Sequence, residues 1–89
     1  MRTSLSFPNS SRSYDETRQG VCFWGHDSAF EISFYVGEDA LRLMSPQSHL
    51  DETALLQVFD ANRQRIEDAA SKAYARKRQS YYRLSPADF

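Results

Sequence analysis

Cysteine and long apolar runs are almost missing from this sequence. Its single cysteine, Cys22, has no partner for a disulfide within the chain, which is typical of a protein from a reducing compartment. A membrane-spanning helix needs about 18 consecutive apolar residues, and no stretch of this sequence is that long. The N-terminus also lacks the charged start, apolar run and cleavage site of a signal peptide. These absences predict a soluble cytoplasmic protein with no membrane partner.

Motifs that would bind a cofactor or catalyse a reaction are missing as well. The sequence contains no Gly-x-Gly-x-x-Gly or P-loop pattern and no Cys-x-x-Cys or His-x-x-x-His pair. The available metal ligands, or nucleophile and base, are Cys22, His26 and His49. On an extended strand Cys22 and His26 lie about 13 Å apart, too far for proton transfer. We therefore expect no metal site, no cofactor and no enzymatic activity.

The charge is nearly balanced overall but unevenly distributed along the chain. Residues 1–89 have the size of one small domain and carry a net charge of −1. Residues 1–60 hold four basic and nine acidic side chains, or −5, whereas residues 61–89 hold seven and three, or +4. Such asymmetry favours complementary contacts, including contacts between two copies of the chain.

The clearest secondary-structure signal is a strict alternation of apolar and polar residues over 29–36. Its apolar positions share one face of a strand: Phe30, Ile32, Phe34 and Val36. The preceding segment, 21–24, is rich in strand-forming residues, and the polar residues 27–28 make a turn. Together they predict an antiparallel hairpin over about 20–36.

The two ends of the chain give weaker signals. Residues 1–19 are polar and serine-rich, so we expect a partly irregular N-terminal segment with a short edge strand near 5–7. A last strand over 80–84 would place Tyr82 and Leu84 on one face, and the proline after it suits a strand end.

Helical patterns fill the region between these strands. A short helix is predicted over 38–44, with acidic residues in its first turn, and a long helix over about 49–77, interrupted on its apolar side by Asn62. A helix of that length measures about 39 Å, against a domain diameter near 30 Å. It must therefore project beyond the sheet or break around 69–74. Its apolar positions are Leu55, Phe59, Ile66, Ala70 and Ala73.

The predicted fold class is α+β, an antiparallel sheet of three to four strands with both helices packed on one face. Two apolar stripes of different period need each other as partners. The predicted shared core is Phe30, Ile32, Phe34, Phe59 and Ile66. Asn62 would either hydrogen-bond nearby backbone or specify a helix–helix contact.

A candidate partner surface follows from the second face of the sheet. Trp24 and Tyr35 fall opposite the core face, where large aromatics indicate a cover. That cover is either residues 1–19 or another chain. A projecting helix end would add Tyr74 to the surface. The partner would be an unknown protein or a second copy, forming a homodimer.

A candidate basic patch supports a different function, the binding of nucleic acid. Arginines interleaved with tyrosines are typical of single-stranded nucleic-acid binding, but Glu67 and Asp68 dilute the patch, and bases near a helix end also satisfy its carbonyls. The second interpretation is therefore a solvated or partner-facing basic end. The patch comprises Arg63, Arg65, Arg76, Lys77, Arg78 and Arg83.

Six short stretches distributed along nearly the whole chain carry a family resemblance. They are Phe7-Pro8 with Ser13-Tyr14-Asp15, Val21 to Gly25, Phe30 to Val36 leading into Asp39-Ala40-Leu41, Phe59-x-x-Asn62-Arg63-x-x-Ile66, Ala73-Tyr74, and Leu84-x-x-x-Asp88-Phe89. In order and spacing they resemble Domain of Unknown Function 1488, a family of small bacterial proteins. The resemblance implies a stand-alone α+β domain in the bacterial cytoplasm and supplies no activity, cofactor or catalytic residue.

The sequence thus favours a non-catalytic interaction or regulatory module that self-associates, with nucleic-acid binding through the C-terminal third as the alternative. Salt dependence separates the two, because phosphate contacts weaken steeply with salt.

Overall fold

Four strands and three α-helices make up the part of the chain that this computed structural model describes, residues 5–8, 10–45 and 51–89. This α+β arrangement is the predicted fold class. The elements are β1 (Arg12–Asp15), β2 (Gly20–Asp27), β3 (Phe30–Gly37), α1 (Glu38–Leu43), α2 (Glu52–Ala61), α3 (Arg63–Arg76), β4 (Tyr81–Leu84) and a 3-10 turn (Pro86–Asp88).

The predicted hairpin is confirmed as the antiparallel pair β2–β3. Ser28, in the turn, has a φ of 56°, the left-handed conformation that tight turns require. Val21 and Phe23 of β2 face the same side as Phe34 and Val36 of β3, and all four are fully buried. The short helix follows at once as α1, within a residue of its predicted bounds.

The sheet is mostly antiparallel, as predicted, and the last strand is the exception. The sheet order is β1-β2-β3-β4, and β4 runs parallel to β3, with Phe34 opposite Tyr82 and Val36 opposite Leu84. Parallel pairing needs a long crossover, and here the helical region between β3 and β4 supplies it. Tyr82 and Leu84 are buried together, as predicted.

The predicted long helix is in fact two helices, α2 and α3, separated at Asn62. The break therefore occurs before 69–74, and no projecting end forms. Asn62 leaves helical geometry (φ −115°, ψ 19°), and its side-chain amide donates to the Val58 carbonyl at 2.9 Å. Asparagine can compete with the backbone for such bonds, so the predicted hydrogen bond to nearby backbone is confirmed.

The start of α2 is capped by Asp51, whose carboxylate accepts from the Ala54 N–H at 2.8 Å. The predicted start of the long helix, near residue 49, lies outside the described residues. No helix in the described ranges is both long enough and apolar enough to cross a membrane.

The core lies between the sheet and the three helices and confirms four of the five predicted residues. Ile32, Phe34, Phe59 and Ile66 are buried, and the ring centroids of Phe23 and Phe59 lie 5.2 Å apart. Phe30 is the exception at 74% exposed. It shares the face of Ile32, but it is the first residue of β3, and the helical cover ends before it.

The N-terminal segment is more ordered than predicted. β1 pairs antiparallel with β2 inside a stretch predicted as loop, and Ser6 forms an isolated bridge to His26 where the edge strand was predicted. Arg12 of β1 holds Asp60 of α2 in a two-pronged ion pair, with nitrogen–oxygen distances of 2.9 and 2.8 Å. This contact ties the sheet edge to the helical layer.

Candidate functional site

One face of the sheet turns away from all three helices, and we call it the open face. Strand alternation assigns its side chains, and the strand register places them in rows across the sheet. One row runs Ser13, Cys22, Tyr35, Arg83, and the next runs Trp24, Ser33, Tyr81. The open face comprises Ser13, Cys22, Trp24, His26, Glu31, Ser33, Tyr35, Tyr81 and Arg83.

The centre of the open face is aromatic. Tyr35 and Tyr81 lie with ring centroids 5.1 Å apart. Tyr81 is 45% exposed, while Trp24 and Tyr35 are half-buried. Cys22 lies under these rings at 7% exposed, and burial raises the pKa of its thiol. The sequence correctly placed Trp24 and Tyr35 on this face.

Arg18 covers one side of the aromatic group. It sits in the β1–β2 turn, with its guanidinium carbon 4.8 Å from the centre of the Tyr35 ring. Asp15 fixes it there, accepting from the Arg18 side chain and backbone N–H at 3.1 Å each. The backbone bond holds the pKa of Asp15 below its ordinary value, and hydrogen bonds to Asp15 and Tyr81 raise the pKa of Arg18.

The described N-terminal residues pack on the opposite side of the sheet. The Phe7 ring centroid lies 6.0 Å from those of Phe23 and Phe34, both core residues. A methyl group at Gly25 would come within 2.9 Å of Leu5, so Gly25 leaves room for that segment on the helical side. Of the predicted local cover by residues 1–19, the described residues 5–8 therefore contribute nothing to the open face, whereas Arg18 covers Tyr35.

Tyr74 belongs to the core side instead of the partner surface. It is 5% exposed, and its hydroxyl donates to Asp27 at the end of β2. Arg78 covers its ring, with the guanidinium carbon 5.5 Å from the ring centre. Because α3 begins at Arg63 as a separate helix, it packs along the sheet, and Tyr74 does not extend beyond the sheet.

The predicted basic patch is distributed over several surfaces. Arg63 pairs with Glu67 at 2.9 Å and Arg76 with Asp88 at 3.7 Å. Arg65 stacks over the Phe89 ring at 5.8 Å, and Lys77 is exposed at the end of α3. Arg78 lies 4.0 Å from Asp27, and Arg83 lies on the open face.

Part of the charge asymmetry along the sequence is therefore satisfied within the fold. The pair Arg78–Asp27 joins a basic residue of the C-terminal portion to an acidic residue of the first sixty. What remains on the open face is a charge difference along β3, with Glu31 at one end and Arg83, near Arg18, at the other.

Cys22 and His26 share the open face but remain four residues apart on β2, about 13 Å along an extended strand. His49 lies outside the described residues. In the described part of the chain, no three His, Cys, Asp or Glu side chains converge as a metal site would need.

The comparisons agree with this fold. The family model described as a protein of unknown function (DUF1488) matches residues 5–85. The chain belongs to the DUF1488 family. A crystal structure of another DUF1488 protein of unknown function, from Shewanella loihica PV-4, aligns with a TM-score of 0.83 and covers 94% of each chain at 20% identity. That likeness shows the shared fold. None of the curated proteins matches the chain.

The sequence reasoning missed two residues of this surface: Tyr81, on the open face, and Arg18, which covers its aromatic group. For Tyr81 the signal was present: if Tyr82 and Leu84 face the core, alternation puts Tyr81 on the other side. For Arg18 no local signal exists, because its place over Tyr35 depends on the β1–β2 pairing.

Proposed function

We propose that this protein is a non-catalytic interaction or regulatory module that binds a protein partner through its open face. The observation that carries the proposal is the aromatic group Trp24, Tyr35 and Tyr81 on the open face, which none of the described helices covers. Tryptophan and tyrosine are enriched at protein interfaces because they combine a large apolar area with a polar end.

The absence of catalysis is part of the proposal. The thiol of Cys22 is buried under aromatic rings, with its pKa raised by that burial, and a reactive cysteine needs the opposite environment. His26 is too distant on the same strand to act as its base. The bacterial cytoplasm is the proposed compartment, because an unpaired cysteine suits reducing conditions.

Nucleic-acid binding is the second candidate, and one observation favours it: Arg18 and Arg83 lie beside Tyr35 and Tyr81 on an exposed sheet. Single-stranded nucleic acids use such combinations of stacking and positive charge. We place it second because the other arginines of the C-terminal third are dispersed over other surfaces, several of them paired with acids.

Photo-cross-linking from the open face tests the proposed function. In one variant a benzophenone side chain replaces Tyr81 on the open face. In the matched control it replaces Leu43 on α1, a residue that is 74% exposed. Each purified protein is irradiated in an extract of the cells that naturally make it, and wild-type protein or a Trp24→Ala variant is added as competitor.

The proposal predicts a discrete protein adduct from position 81 and none from position 43. Excess wild-type protein should suppress the adduct, whereas Trp24→Ala should not. Equal cross-linking from both positions, or none from position 81, contradicts the proposal. An adduct with nucleic acid in place of protein supports the second candidate.

A further inference from the structure

We infer that the partner of the open face is a second copy of this chain, packed face to face with its strands reversed. The inference rests on the proposed function, since it names the occupant of the same surface. It comes from the order of charges along the face, which makes the surface complementary to itself in one orientation.

The two ends of the open face carry opposite charge. At one end is Glu31, exposed and opposite His26 on β2. At the other end, four residues further along β3, are Arg83, opposite Tyr35, and Arg18, stacked on Tyr35. Asp15 neutralises part of this end by pairing with Arg18, and the Asp39 carboxylate and the Arg83 guanidinium both lie next to Gly37. The guanidinium groups of Arg18 and Arg83 are the positive charges of this end, and Glu31 is the negative charge of the other.

A two-fold axis across the strands brings these ends together. If the axis lies in the interface and crosses β3 at Ser33, it reverses the strand direction, so that Glu31 of each copy faces Arg18 and Arg83 of the other. Each complementary contact then occurs twice, as a symmetric interface requires. The alternative axis, parallel to the strands, would set arginines against arginines, and like charges in contact are unfavourable.

The same axis places the aromatic row against itself. Trp24, Ser33 and Tyr81 lie level across the sheet, so each meets its own counterpart or an immediate neighbour near the axis. Aligned sheets pack about 10 Å apart, a space that two layers of aromatic side chains fill. The aromatics supply the buried apolar area, and the charges select the orientation.

The size of the face sets the expected affinity. The strands lie about 4.8 Å apart and the longest have about eight residues, so the face has an area of about 400 Å². A standard interface buries about 800 Å² per partner, which is about twice as much. We therefore expect a weak, reversible homodimer with a Kd of about 10–100 μM.

Sedimentation equilibrium with charge reversals tests the inference on the purified full chain. The variants are Glu31→Arg, Arg83→Glu and the double variant. The matched control is Asp68→Arg, which changes the net charge by the same amount as Glu31→Arg. Asp68 is exposed on α3, on the helical side of the sheet. Circular dichroism verifies that each variant is folded.

Each single reversal should weaken dimerisation at least about tenfold, because both symmetric contacts become repulsive. The double variant should recover at least half of that loss on a logarithmic scale, while Asp68→Arg stays within about threefold of the wild type. A wild-type protein that is monomeric at about 500 μM overturns the inference. The inference is also overturned if the double variant dimerises no more tightly than the weaker single variant, or if Asp68→Arg weakens dimerisation as much as Glu31→Arg does.

The failure of this inference can be told from the failure of the proposed function. If the purified chain remains monomeric while position 81 still cross-links specifically to another protein, the open face binds a different partner and only the second-copy inference falls. If the chain is monomeric and position 81 gives no adduct, both fall.

Discussion

The rings of Tyr35 and Tyr81 lie side by side on two neighbouring parallel strands, with centroids 5.1 Å apart, on the side of the sheet that none of the described helices covers. They are far apart in sequence, and the crossover through the helices brings them together. Tyr82, one residue further on, points the opposite way and stacks on Phe34 in the core, with centroids also 5.1 Å apart. The same short strand thus serves both the core and the open face.

Adjacent tyrosines of β4 should therefore differ sharply in their effect on stability. Tyr82→Ala removes a buried ring whose hydroxyl donates to the Lys77 carbonyl, and it should lower the free energy of unfolding by about 3–5 kcal/mol. Tyr81→Ala should change it by no more than about 1 kcal/mol. Urea unfolding followed by circular dichroism measures both, and equal effects would refute the assignment of the two faces.

A second matched pair tests the core. Phe59 is fully buried against Phe23, so Phe59→Ala should cost about 3–5 kcal/mol, enough to unfold much of a domain this small. Phe30→Ala should cost less than about 1 kcal/mol, because its ring is 74% exposed. Thermal unfolding gives the comparison. A Phe59→Ala protein that melts within a few degrees of the wild type would show that the packing is different.

The hydroxyl of Tyr14 makes stability depend on alkaline pH. It donates to Glu38, and that bond raises the pKa of Tyr14 to about 12. Since this lies above the ordinary value of about 10, the contribution is complete below pH 10 and is lost as the pH rises towards 12. Wild type should therefore exceed Tyr14→Phe in stability at about pH 9, with a smaller difference at about pH 11. A difference that does not change between these pH values would contradict the assignment.

The features of the fold that the sequence predicted correctly are those that depend on neighbouring residues in the chain. Alternation in the two strands of the hairpin fixed which residues share a face, and it placed Trp24 and Tyr35 on the face opposite Ile32 and Phe34. The caps and acidic residues at helix starts are likewise local. Phe30 shows the limit of such reasoning, because alternation gives its face but not where the covering helices end.

What the sequence could not reveal depends on distant contacts. The stretch from Asp51 to Arg78 has no glycine or proline, and the interruption of its apolar side at Asn62 did not by itself predict a break there. The break allows two shorter helices to pack along the same sheet. Because this break was not predicted, Tyr74 was wrongly expected to be exposed on a projecting helix end. The parallel pairing of β4 and the ion pair between Arg12 and Asp60 likewise join residues that no local pattern links.

The central claim, that two copies of the chain associate through the open face, is tested most directly by the protein's one tryptophan. Trp24 lies in the row where the proposed two-fold axis crosses the sheet, so its fluorescence reports on that face alone. Acrylamide quenching is measured on the purified chain at about 1 μM and about 500 μM, on either side of the expected Kd. The matched control is Tyr81→Asp, which places a charge on the same face.

We predict that the quenching constant falls at least about twofold at the higher concentration, with emission shifted to the blue, because Trp24 leaves water as the copies associate. The Tyr81→Asp protein should quench equally at both concentrations. Identical quenching of the wild type at both concentrations would contradict self-association through the open face.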